Sequence, residues 1–412
     1  MTDARSGPAC AGRRRAMLAG LGLAVAACGG PGSRRPDGGE DARRFAERGY
    51  VPAATGEPEP FAETWVRGER VLVAEGLVPV GPDAAPLVLY LPGLGEGTQA
   101  GIAWRQAWAA AGYAVVSLQE QADHRVWTSP PARAGEFRRL VADRFDPRAV
   151  AERVEDVRHA LDRLRARART GAMPFARIDP DRVAVAGFDV GARTAMALAG
   201  ERHPVLGILP RPAPVQAIVA ISPVANAAAG GLAERFGAVS LPLLVVTGTG
   251  DEDPYGIVDT PFARQAPFHF APPGDKFLLV LADGIHATLS GSPPSALPDA
   301  GDAGAGRGPG RGFDGPPSGS ASRFGDSPGG GGNGPGQGGG PGRGRRGGMG
   351  GPPGADGPSR SGEGGTRRQV IAVERLSTAF LDGALRRDPV AREWLSLDAG
   401  RWLAGTAALS RR

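Results

Sequence analysis

The segment Gly187-Phe188-Asp189-Val190-Gly191 sets one carboxylate between two glycines, where an apolar run gives way to an alanine-rich one. Glycines at this spacing let a strand and the following helix approach closely. They leave the central side chain in a strained, exposed turn at the helix N-terminus, where the helix amides favour negative charge. An aspartate there is ionised near neutral pH and needs no base. It can attack a saturated carbon to give an alkyl–enzyme ester, which a histidine-activated water then hydrolyses. Attack on a carboxylic ester would instead give an anhydride, a poor intermediate. Of the five histidines, His124, His159, His203 and His269 fall in helix or loop contexts. His286, in Asp283-Gly284-Ile285-His286, follows an apolar run and a turn.

The elements that must position these groups alternate between strand and helix. Runs at Val71–Val73, Leu87–Leu91, Ala114–Leu118, Arg182–Ala186, Ala217–Ile221, Leu243–Val246 and Phe277–Leu281 read as strands, and Leu87–Leu91 as one buried on both faces. A helix is expected around Ala100–Ala111, and another begins near Gly191. Asp146-Pro147 reads as the cap and first residue of a long helix. Its core stripe would be Val150, Val154, Val157, Leu161 and Leu164. Near the C-terminus Val370, Val373, Leu376, Phe380 and Ala384 form one further amphipathic face. This alternation predicts an α/β fold with a doubly wound, mostly parallel sheet.

The elbow, with its partners in chain order, resembles that of the α/β-hydrolases. The resemblance implies that Pro92-Gly93-Leu94-Gly95-Glu96-Gly97 is the oxyanion-hole loop, with the amides of Leu94 and Val190 as donors. It implies Asp189 as nucleophile, His286 as histidine, and an acid from Gly248-Thr249-Gly250-Asp251-Glu252-Asp253: Asp251 first by spacing, Asp253 as the alternative. Gly112–Val116, the helix through Asp156–Leu164, Thr247–Asp251 and Ala379–Leu385 resemble bacterial dienelactone-hydrolase and platelet-activating-factor-acetylhydrolase-like proteins. Such relatives imply a serine hydrolase of small esters or polyesters. Here aspartate replaces the serine, and Pro92 stands where a histidine often precedes the oxyanion glycine. The aspartate elbow is itself similar to those of epoxide hydrolases and haloalkane dehalogenases. Those families carry a large cap after the sixth strand, whereas about twenty residues separate Ile221 from Leu241 here. Three readings stay open: a hydrolase using Asp189, His286 and Asp251; a catalytically silent binding protein; and an enzyme in which Asp189 is a general base for water.

The flanking sequence bears on compartment. Arg13-Arg14-Arg15 and the apolar run Met17–Ala27, too short to span a bilayer comfortably, read as a signal peptide over 1–27, and Arg14-Arg15-x-Met17-Leu18 resembles a twin-arginine export signal. Val25-Ala26-Ala27-Cys28 resembles a lipobox, which implies a lipid anchor on Cys28 and an exported, cell-envelope location. Cys10 and Cys28 are the only cysteines. No cysteine nucleophile, thiolate metal site or cofactor is expected. The net charge of +5 comes almost wholly from arginine interleaved with acidic residues; it reads as a solvated surface, with no nucleic-acid partner. The expected partners are a small-molecule substrate and the membrane. The 66 glycines and 39 prolines concentrate in a tether over 28–60 and in an insertion over 291–367, which offers too little apolar surface to offset ordering entropy. The hydrolase core is expected over 61–290, completed by a C-terminal helix in 368–412.

Overall fold

The computed structural model describes residues 38–53, 56–97, 99–123, 141–225, 231–292 and 360–412. The expected signal peptide over 1–27, Cys28, His124 and most of the expected glycine-rich insertion lie outside the described residues.

One mixed sheet of nine strands organises the chain. Its strands are β1 (Glu59–Arg67), β2 (Arg70–Val78), β3 (Ala85–Leu91), β4 (Ala114–Glu120), β5 (Ile178–Phe188), β6 (Val215–Ile221), β7 (Leu243–Gly250), β8 (Lys276–Ile285) and β9 (Ala407–Arg411). The spatial order is β1-β2-β4-β3-β5-β6-β7-β8-β9. Strands β4, β3, β5, β6, β7 and β8 run parallel, while β1, β2 and β9 join at the edges in antiparallel pairings. All seven residues of β3 are buried, because helices cover both faces of the sheet; this is why that run shows no polar alternation.

Leu87 and Leu89 of β3 face one side, with α3 (Pro147–Arg169) and α4 (Val190–Ala199). Val88 and Tyr90 face the other, with α1 (Gly38–Glu47), α2 (Ile102–Ala110), α5 (Arg360–Leu381) and α6 (Pro389–Leu397). The expected α3 stripe is buried along its whole length. Each such side chain contributes on the order of 2 kcal/mol. Asp146 caps α3 by accepting from the Arg148 amide at 2.8 Å, with Pro147 in the first turn. Between β6 and β7 the described residues hold one five-residue helix, Leu232–Phe236.

Three boundaries differ from the sequence reading. The flexible tether expected over 28–60 does not hold where those residues are described. There α1 packs on α5, with Phe45 stacked on Trp402 at 4.4 Å and Tyr50 donating to Asp382 at 2.7 Å. Two aromatics, Phe45 and Tyr50, are enough to dock a short polar helix. The insertion expected to reach 367 ends earlier, since α5 starts at Arg360, and Gly291 and Ser292 are bonded to the start of α2. The region 368–412 supplies a strand as well as helices: β9 pairs with β8 from Phe277↔Arg411 to Leu281↔Ala407.

Candidate active site

The C-terminal ends of β3, β5, β6, β7 and β8 converge, as is usual for sites on parallel sheets. Asp189 sits where β5 turns into α4, at φ 52° and ψ −113°. Its backbone is pinned by donation from its amide to the Ile221 carbonyl at 3.1 Å and by acceptance from the Arg193 amide at 3.0 Å. The turn is this tight because nothing larger than hydrogen fits beside it. A Cβ on Gly191 would overlap the Leu91 carbonyl, and one on Gly187 would overlap the Gly191 backbone.

Asp189 is 1% exposed. Its Oδ2 accepts from the Leu94 amide at 3.3 Å, while Oδ1 is buried without a hydrogen-bond partner. Burial pushes its carboxyl above the usual range; His286, Arg264 and the Leu94 amide oppose that rise. Of the two amides expected to face an oxyanion, Leu94's therefore already holds a carboxylate oxygen of the protein itself. The Val190 side chain packs with Leu94, Val141, Phe145, Val224 and Val258 in an apolar cluster, with Tyr255 and Ile257 against it.

Strand β8 bulges between Leu281 and Ile285, which turns His286 towards the end of β7. His286 Nδ1 lies 2.8 Å from Asp251 Oδ1, and the ring of Phe188 stacks obliquely against the imidazole at 4.7 Å. With Nδ1 committed, Nε2 is the nitrogen left for a water or substrate. Asp251 is fully buried. Its Oδ1 also accepts from Ser222 Oγ at 2.9 Å, its Oδ2 accepts from Thr247 Oγ1 at 2.8 Å, and Arg264 Nε lies 3.3 Å from Oδ2. Three hydrogen-bond donors and a guanidinium around one carboxylate are what a buried negative charge requires.

The two candidate acids separate on geometry. Asp251 faces His286. Asp253, the alternative, turns its carboxylate onto its own loop, accepting from the amides of Tyr255 at 3.0 Å, Val258 at 2.7 Å and Ile257.

Sequence reasoning missed three contributors. Ser222 follows β6 and touches both Asp251 and His286. Arg264 is fully buried and donates to the carbonyls of Asp251 and Ser222 at 2.9 and 3.0 Å. Glu96, in sequence only one residue of the expected oxyanion-hole loop, is buried, with its carboxylate accepting from the Gly93 amide at 2.8 Å and Ser292 Oγ at 3.0 Å. Burial, reinforced by nearby Asp189, pushes Glu96 up to about 7. Only Ser222 carries a readable signal, a small polar residue directly after a buried strand. A cavity of about 40 Å³ lies behind the Gly93–Gly95 loop, walled by Gln119, Asp123 and Arg153; Asp189 is not among its lining residues.

Among the described residues no cluster of His, Cys, Asp and Glu is arranged to hold a metal ion, and no helix is long and apolar enough to cross a membrane. No family model matches this chain, and no curated protein does.

Proposed function

We propose that this chain is a hydrolase of α/β-hydrolase type, acting on small, largely apolar substrates with Asp189 as nucleophile, His286 as base and Asp251 as its acid. The strand order β1-β2-β4-β3-β5-β6-β7-β8 with an antiparallel β2 supports the family resemblance. The observation that carries the chemistry is the split state of the Asp189 carboxylate: Oδ2 held by the Leu94 amide, Oδ1 unpartnered.

That split favours alkyl transfer over attack on a carboxylic ester. Asp189 Oδ1 forms the new C–O bond as the carbon's bond to its leaving atom breaks with the electron pair: a halide departs as the free ion, and an epoxide oxygen stays attached and takes a proton from water. A desolvated carboxylate oxygen is a stronger nucleophile than a hydrated one. In the alkyl–enzyme ester Oδ2 becomes the carbonyl oxygen, already at the Leu94 amide. His286 Nε2 takes a proton from water, and the resulting hydroxide adds to Asp189 Cγ. The oxyanion that forms on Oδ2 meets the Leu94 donor. Collapse breaks the bond to the alkyl oxygen, which leaves as alcohol with the proton from His286, and the Asp189 carboxyl returns to its ionised form by losing the water's remaining proton to solvent. Asp251, surrounded by donors, orients the imidazole and balances its positive charge.

Near-complete burial of Asp189 favours a second reading, a silent binding protein in which the carboxylate serves the elbow alone. The two are separated with the His286→Gln variant, incubated with styrene oxide and with a short bromoalkane. A covalent adduct on Asp189, seen by intact mass and peptide mapping, supports the hydrolase. Unmodified Asp189 in folded protein, together with inert wild type, supports the binding protein.

The proposed setting is the cell envelope, with a lipid on Cys28. It is supported by Arg14-Arg15 and the apolar run that ends at that cysteine.

A further inference from the structure

Ser222 is wholly buried at φ 52°, a left-handed conformation that serine adopts rarely and glycine readily. Its backbone is held on both sides: the amide donates to the Val246 carbonyl at 2.7 Å, and the carbonyl accepts from Arg264 at 3.0 Å. If only the turn mattered, glycine would suit this position better. What serine adds is Oγ, and Oγ sits 2.9 Å from Asp251 Oδ1 and 2.9 Å from His286 Nδ1. Those two atoms are themselves 2.8 Å apart, so hydroxyl, carboxylate and imidazole form a closed triangle.

A hydroxyl has one proton to give and lone pairs to accept with. Donated to Asp251 Oδ1, the proton leaves the Ser222 lone pairs facing Nδ1–H. The imidazole proton then lies between two acceptors instead of one. Two acceptors fix the ring plane as well as its distance, which a single carboxylate oxygen does not.

We propose that Ser222 is a positioning residue for His286: its hydroxyl closes the Asp251–His286 pair, shields the Nδ1 proton, and holds the ring so that Nε2 is left for water. This rests on the reading of His286 as the base, and it assigns Ser222 to one half-reaction only. Alkylation of Asp189 requires no base, so it does not need an oriented imidazole. Hydrolysis of the alkyl–enzyme does.

Ser222→Gly removes Oγ and relaxes the backbone, so the fold is retained; Ser222→Ala removes Oγ and keeps the strain. In both, the pre-steady-state alkylation rate stays within about twofold of wild type while hydrolysis of the alkyl–enzyme falls by at least about tenfold, so the adduct accumulates. Equal loss in both steps, or in neither, would overturn the proposal. A second readout stands without turnover. In wild type labelled with ¹⁵N-histidine, the His286 Nδ1 proton gives a downfield, protected resonance, and its exchange with water speeds up at least about tenfold in Ser222→Gly. An unchanged exchange rate and shift would sink the positioning role, whereas altered exchange with no alkyl–enzyme in any variant would sink the proposed hydrolysis alone.

Discussion

The Leu94 amide donates to Asp189 Oδ2 at 3.3 Å, so the loop after β3 already holds an oxygen of the elbow residue. In a serine enzyme that amide would await the substrate's oxygen. Here it is already engaged by the Asp189 carboxylate, and in the proposed mechanism it would serve the carbonyl of the ester made from Asp189. The first consequence concerns Asp189→Asn. The amide side chain keeps the shape and tolerates the positive φ, but it cannot form the alkyl ester. Turnover should fall by at least about 10³-fold. Because burial raises the Asp189 carboxyl above its ordinary 3.8, stability is lost as pH rises from that value to the folded-state one, and the loss is complete above it. Asp189→Asn should therefore melt higher than wild type at pH 8. Thermal denaturation of both proteins checks the sign.

Glu96 gives a pH dependence with a defined window. Its folded value of about 7 stands above the ordinary 4.5, so the native state binds more protons than the unfolded chain between those limits. Its contribution is intact below about pH 4.5 and is lost as pH rises to about 7, at most about 3 kcal/mol in all. Glu374 is raised to about 7 as well, so the test is a difference. Urea midpoints from pH 4 to 8 should decline less steeply in Glu96→Gln than in wild type. Parallel curves would place the Glu96 carboxylate in solvent.

The elbow glycines make a purely structural prediction. A methyl at residue 191 meets the Leu91 and Pro92 carbonyls, backbone atoms that cannot rotate aside. Gly191→Ala should cost about 3 kcal/mol, read as a lower urea midpoint. An unchanged midpoint would mean that the start of α4 does not press on the backbone at the end of β3.

Membrane attachment is tested separately from chemistry. Cys28→Ala, expressed with the full signal segment, should move the exported protein from the detergent phase to the aqueous phase on Triton X-114 partition. Equal partition of both forms would remove the lipid from the account.

Much of this architecture is legible in the residues themselves. The run Leu87–Leu91 has no polar alternation because both its faces are covered, and the α3 stripe repeats at three and four because only one face is. The elbow is legible because close packing leaves glycine no substitute. The edges are harder to read. β1 alternates in burial but not in residue type, since Phe61-Ala62, Glu63-Thr64 and Trp65-Val66 come in like pairs, and it carries Pro60, as an edge strand does, so it blends into the polar segment before it. β9, Ala407–Arg411, is short and mostly solvated on its outer side. Around the site, Asp251 and Asp253 are two residues apart and chemically alike, and only the bulge in β8 that aims His286 decides between them. Arg264 reads as one more surface arginine; its complete burial depends on the Ser222 and Asp251 carbonyls just past the ends of β6 and β7, which meet only in the folded chain.

The most direct test of the central claim is a single turnover in H₂¹⁸O, with enzyme in excess over styrene oxide or a bromoalkane. If water attacks Asp189 Cγ, the label enters the enzyme: the peptide containing Asp189 gains about 2 Da, and the first-turnover alcohol carries the old carboxylate oxygen. Label found wholly in the product, with the Asp189 peptide unchanged, would contradict a covalent aspartate mechanism and leave Asp189 as a base for direct attack by water.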